Sequence, residues 1–201
     1  MVPGLIASKV GMSRVFLDNG EAVAVTYLRV EPHVIVRLKT AEKDGYNAVV
    51  FGVNPKQWKT RKGRELTRFA CQKEWKVESL DGFEQGKTVA EMFPVQSLVS
   101  VIGESKGKGF QGVVRRHGFG GGPASHGSHF KREPGSIGMR TYPGRVLKGH
   151  PMAGRMGGQQ VTLHRRPVVV VDAEQGMIGI KGAVPGANGS HVYLTLESSP
   201  E

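Results

Sequence analysis

Residues 119–158 read FGGGPASHGSHFKREPGSIGMRTYPGRVLKGHPMAGRMGG. A helix needs apolar side chains every three to four positions and a half-buried strand needs them at every second position, and neither period lasts across these forty residues. Glycine, proline, histidine, serine and cations dominate, and the apolar residues stand alone, so the stretch has little core of its own. Just upstream, only FQGVVRRH (110–117) has the makings of a short helix or turn. A structureless stretch this long within a compact protein is either functional or disordered. It is therefore expected to be an extended arm, mobile in the free protein and ordered on a partner.

Working outward, residues 104–166 hold twelve of the 28 Lys and Arg but only two of the 17 Asp and Glu, a net +10. The remaining 16 cations and 15 acids come to +1, so almost the whole formal charge of +11 sits in this segment. Fifteen of the 29 glycines and five of the seven histidines lie there as well. Composition thus divides the 201 residues into a nearly neutral body, 1–103 and 167–201, and a basic glycine-rich arm, 104–166.

The body reads differently. Runs at 12–17, 22–30, 34–39, 48–53, 98–102, 167–171, 177–181 and 192–196 are short, rich in Val, Ile, Leu and aromatics, and bounded by turn residues. Asp18-Asn19-Gly20 and Glu174-Gln175-Gly176 are hairpin turns by composition. Residues 64–75 are expected to be helical, with Leu66, Phe69 and Trp75 on one side and Cys71 a packed core thiol. Strands recurring without regular helical crossovers predict a mainly β protein: an antiparallel β-barrel, with a small α+β segment inserted near 55–95 and the long extended arm between two of its strands.

Composition also bounds function. The mean hydropathy of −0.27 and the lack of any apolar run near 20 residues give no spanning helix, so a soluble protein without a membrane partner is expected. A single cysteine fits a reducing compartment, the first residues carry no targeting pattern, and a cytoplasmic location is expected. A pI near 10.0 points to a polyanionic partner. In the basic segment the cations are Lys106, Lys108, Arg115, Arg116, Lys131, Arg132, Arg140, Arg145, Lys148, Arg155, Arg165 and Arg166, interleaved with Phe110, Phe119, Phe130, Tyr142 and with His126 and His129. Cations neutralise phosphates, aromatic and guanidinium planes stack on bases, and glycine lets backbone approach closely. Folded RNA is the expected partner, since no recognition helix, zinc module or zipper for DNA is present. The twelve cations and two histidines are the candidate RNA-binding residues, and Arg155 is placed at the tip of the arm.

The same residues admit three alternatives. Gly107-Lys108-Gly109-Phe110-Gln111-Gly112 spells G-x-G-x-x-G, the turn of a dinucleotide site, but no second parallel strand follows it. A nucleotide-dependent enzyme is the alternative function on this loop. His126 and His129 lack further ligands at zinc-like spacing, and Ser125-His126 and Ser128-His129 have no orienting carboxylate in a rigid frame. No cofactor, metal, small-molecule substrate or catalytic residue is expected.

Specific runs carry a family resemblance: SKGKGFQGV (105–113), GGPASHGS (121–128), PGSIG (134–138), MAGRMG (152–157) with Val161-Thr162, GMSRVF (11–16) and KGAVPGANG (181–189). The chain resembles the bacterial-type large-subunit ribosomal protein L three family over essentially its whole length. The resemblance implies a barrel of the kind shared with translation factors and an arm entering the large-subunit rRNA towards the peptidyl transferase centre. It further implies early assembly near the 3′ end of that RNA, with neighbouring ribosomal proteins against the globular part. Two positions depart from the pattern. Lys131-Arg132-Glu133 stands before PGSIG where members commonly have His-Arg, and Arg155 replaces a Gln that is methylated in some members.

Overall fold

The computed structural model describes residues 2–17 and 19–199. In chain order its elements are strands β1 (Gly4–Phe16), β2 (Ala22–Val30) and β3 (His33–Lys39), the single-turn helix α1 (Ala41–Asp44), and strands β4 (Ala48–Lys59), β5 (Glu65–Lys76), β6 (Thr88–Val89), β7 (Leu98–Glu104) and β8 (Phe110–Gln111). Helix α2 (Val113–His117), β9 (Gly154–Arg155), β10 (Gln160–Asp172), β11 (Met177–Lys181) and β12 (His191–Ser198) complete it. The protein is mainly β, and every strand pairing is antiparallel.

Six strands pair in the cyclic order β1-β12-β7-β10-β11-β2 and back to β1, so none of them has an open edge. Seven of the eight expected strand runs lie wholly in strands, and the first, 12–17, runs one residue past the end of β1 at Phe16. Both hairpins form: Phe16 pairs with Ala22, and Asp172 with Met177. Asp18 itself lies outside the described residues.

A second, four-stranded sheet has the order β5-β4-β3-β6. It corrects two expectations. The runs at 34–39 and 48–53 belong to it rather than to the cyclic sheet, so the inserted segment begins near His33, well before residue 55. Residues 64–75, expected to be helical, form strand β5. Leu66 and Phe69, three apart, suit a helix face, whereas Phe69 and Trp75, six apart, share a strand face but lie about 120° apart around a helix. The deciding residues are Cys71 and Lys73, which with Phe69 and Trp75 take the more buried positions at every second residue, while of the intervening residues only Glu74, paired with Lys39, is partly buried. The segment therefore carries one helical turn, α1, among strands.

Both sheets share one apolar core, built from Leu5, Ile6, Val101, Ile180 and Leu194 of the cyclic sheet with Ile35, Phe51 and Trp75 of the other. Gly4 lies against the Trp75 ring so closely that a Cβ would sit 2.0 Å from its nitrogen, and that indole N–H donates to Thr195 at 3.1 Å. Cys71 is half-buried, its thiol sharing a hydrogen bond with the Tyr193 hydroxyl at 3.2 Å. Fully buried His33 accepts a hydrogen bond from the Ile6 backbone N–H at 2.6 Å and meets Phe51 edge-on. Residues 182–190 wrap around buried Lys9, whose ammonium donates to the Val184 and Gly186 carbonyls.

The chain divides into two compact units, one of residues 1–104 with 160–201 and the other Ser105–Gln159. The second unit is shorter than the basic segment. Gln160–Arg166 belong to β10, where Gln160 pairs with Glu104, so Arg165 and Arg166 lie on a strand of the first unit.

Candidate nucleic-acid interface

In the 105–159 unit the two ends of the chain are zipped together by backbone hydrogen bonds. Ser105 N–H donates to Gln159 O at 2.9 Å and Gly158 N–H to Ser105 O at 3.0 Å. Lys108 N–H then donates to Met156 O, Met156 N–H to Gly109 O, and β8 pairs with β9 through Phe110–Arg155 and Gln111–Gly154. Gly157 is required here: its φ is +73° and a Cβ would lie 2.1 Å from the Lys106 carbonyl oxygen. From Gly112 the chain enters α2, which ends in left-handed Gly118. Arg116 and His117 on its last turn both reach the Met152 carbonyl, at 2.6 and 3.0 Å.

This zipper overturns the placement of Arg155. Its backbone pairs with Phe110, so Gly154–Arg155 belongs to the zipped ends of this unit, its neck, and not to a free turn. The neck gathers cations instead. Lys106, Lys108, Arg116 and Arg155, with His117 and Gln159, line one open cleft of about 470 Å³ with no acidic residue among its walls. Phe110 beside it is exposed. Four cations around an open cleft, next to an exposed aromatic ring, can hold the phosphates and one base of a polynucleotide.

The remaining expected residues are distributed around the loop. Residues 121–131 close on themselves: Gly122 N–H donates to Phe130 O at 3.0 Å, and a Cβ on Gly121 would lie 2.4 Å from the Lys131 carbonyl. His126 (φ +58°) and His129 are exposed on this closed turn, as are Lys131 and Arg132 beyond it. Further on, Ile137, Met139, Tyr142 and Leu147 surround an open apolar hollow of about 710 Å³, edged by Arg145 and His150. Arg115, Arg140 and Lys148 are exposed. Arg165 and Arg166 differ from the rest. A bulge in β10 between Leu163 and Arg166 leaves Arg165 at φ +52°. Glu197 holds that bulge, accepting from the Arg165 N–H at 3.2 Å, from His164 Nδ1 at 2.9 Å and from the Ser100 hydroxyl. The Ser100 hydroxyl first, then His164, holds the Glu197 carboxyl below its usual range. Arg166 is half-buried, with its Nε enclosed and without an acceptor among the described residues.

A family model for ribosomal protein L3 matches residues 65–182. The chain belongs to the ribosomal protein L3 family. Relatives named large ribosomal subunit protein uL3 from Bacillus mycoides (strain KBAB4), Bacillus cereus (strain G9842) and Bacillus thuringiensis (strain Al Hakam) are each 43% identical over 203 residues, covering 96% of both chains. Membership of the L3 family is membership of a ribosomal, non-enzymatic family. The G-x-G-x-x-G of this L3 chain agrees with that. Gly109–Gly112 lead through the two-residue β8 into the five-residue α2, and every strand pairing among the described residues is antiparallel, whereas a dinucleotide fold requires a parallel one. The backbone approach of Gly157 to Lys106 also accounts for the L3-like MAGRMG run. Gly157→Ala is expected to force the zipper apart, since both a positive φ and a backbone clash oppose it, and, on the RNA-binding reading proposed below, to lower affinity for large-subunit rRNA about tenfold. Filter binding checks this, with Gly107→Ala, where a Cβ meets open space, as comparison.

Proposed function

We propose that this chain is a structural constituent of the large ribosomal subunit that binds large-subunit rRNA through its 105–159 unit. The observation that carries the reading is the acid-free cleft at the neck, where Lys106, Lys108, Arg116 and Arg155 converge beside exposed Phe110. The cyclic six-stranded sheet then serves as a barrel of the translation-factor kind, and the 105–159 unit as its RNA-binding arm. His126, His129, Lys131, Arg132, Arg140, Arg145 and Lys148 add contacts along the loop, with Arg115 on α2 and Arg165 and Arg166 on β10. The arm approaches the peptidyl transferase centre, the protein joins early in assembly near the 3′ end of the RNA, and other large-subunit proteins adjoin its body. A cytoplasmic location goes with that role.

Binding of the full-length protein to large-subunit rRNA fragments, measured from 50 to 500 mM salt, tests it. If about six cations meet phosphates, log K falls against log salt with a slope of about −4 to −5. A slope near zero, or protein running free of the large subunit in a low-salt gradient, overturns the reading.

A further inference from the structure

The neutrality of the body conceals a second basic surface. Residues 54–68 carry six cations and one acid, Glu65, so this stretch is +5 and the rest of the body outside it sums to −4. The structure shows where they lie. β3 pairs with β4 only as far as Gly52, whereas β4 and β5 remain paired out to Lys59 and Glu65. Beyond Asn54 the two strands continue as a ribbon with no third strand, and such a ribbon is only marginally stable in water.

Lys56 stands directly opposite Arg68, and Trp58 directly opposite Leu66. Residues two apart along a strand share a face, so these four form one surface. Trp58 is 61% exposed and Leu66 49%. Like charges directly opposite one another weaken a ribbon, and an exposed indole gives the free protein little in return. The one acid is already engaged, Glu65 pairing with Lys59 at 2.9 Å. Arg61, Lys62 and Arg64 crowd the turn at the end. Lysines on an open edge also keep it from pairing with other chains, but that role needs neither the indole nor the arginines.

We propose that the tip of the β4–β5 ribbon is a second rRNA contact, in which Lys56, Arg68 and the turn cations hold phosphates while an unpaired base stacks on Trp58. The proposal rests on the ribosomal reading, which supplies RNA as the polyanion. It concerns residues separate from the 105–159 unit. Stacking of a base on an exposed aromatic ring together with phosphate neutralisation satisfies both oddities of this face, the opposed cations and the bare indole.

Trp58 is a built-in reporter, because the other tryptophan, Trp75, is 6% exposed and sits in the core. Saturating the full-length protein with large-subunit rRNA fragments is expected to quench tryptophan emission, and Trp58→Phe to abolish that quenching. Lys56→Gln with Arg68→Gln should reduce the magnitude of the salt slope by about 1.4 to 1.8, two contacts at about 0.7 to 0.9 each. Thermal melting matching wild type confirms that the variants fold. If wild type binds rRNA but quenching and slope are indifferent to these substitutions, the ribbon contact is refuted and the ribosomal reading stands. If polyglutamate quenches Trp58 more strongly than rRNA does, the surface is a protein site and the proposal fails. If wild type does not bind rRNA at all, both readings fall.

Discussion

Replacing Lys106, Lys108 and Arg155 together by Gln is expected to lower affinity for large-subunit rRNA about a hundredfold at 0.15 M salt. Each phosphate contact contributes about 0.7 to 0.9 to the slope of log K against log salt, so losing three flattens that slope by about 2 to 3. The electrostatic part extrapolates to nothing near 1 M salt, and over the interval from 0.15 M that slope amounts to about two decades of affinity. Arg116 is left in place because its guanidinium donates to the Met152 carbonyl, and removing it would confound charge with folding. The other three side chains line the cleft without that duty: Lys108 and Arg155 take part in the zipper through backbone atoms, and the Lys106 backbone packs against Gly157. The triple variant should therefore melt as wild type does. An unchanged slope would show that the neck cleft does not face RNA.

The second large effect is on stability against acid. Burial pushes the His33 imidazole down to about 4 from its usual value near 6.5. Neutral Nε2 accepts the Ile6 N–H; a proton there would remove the acceptor and set two donors against each other. The unfolded chain binds this proton below about 6.5 and the folded chain only below about 4, so stability is full above that window and falls as pH drops through it. The shift corresponds to about 3 kcal/mol lost by pH 4. Glu74 and Glu197 are also displaced, both downward, Glu74 chiefly by its hydrogen bond from Lys39 and Glu197 by that from Ser100. Their contributions are present above the ordinary carboxylate value and disappear as pH falls below it, through their lowered values, so the interval from 6.5 to about 4.5 reports His33. Urea denaturation at several pH values measures this. His33→Phe should be less stable at neutral pH, because the Ile6 N–H loses its acceptor at a cost of about 1 to 3 kcal/mol, yet should show a flat profile in that interval. A profile as steep as wild type would assign the acid sensitivity elsewhere.

What could be read along the chain was what short stretches encode by themselves. Alternating Val, Ile and Leu between turn residues reports strands because side chains on a strand face opposite ways at every step, and each such run is a strand of the structure. The break in that pattern, with glycine and cations in its place, marked the 105–159 unit, since residues without apolar periodicity cannot join a packed sheet. The motif runs carried the family, because they combine residue identities far more specific than hydropathy.

Pairing between distant residues decided the rest. Whether the runs at 34–39 and 48–53 join the cyclic sheet or a separate one depends on their partners, and those are β5 and β6 rather than β1 or β2. The helix expected at 64–75 yields to a strand by the same cause: Leu66 and Phe69 fit a helical period, Phe69 and Trp75 a strand period, and only pairing with β4 selects the strand. Arg155 moved from tip to neck because Gly154–Arg155 finds Phe110–Gln111 more than forty residues away, a contact that glycine-rich composition does not encode. Residues 54–68 vanished into a net charge, which adds cations and acids wherever they lie, whereas an RNA phosphate meets only those on one face. Register places Lys56 against Arg68 and Trp58 against Leu66, and register is a property of the folded sheet.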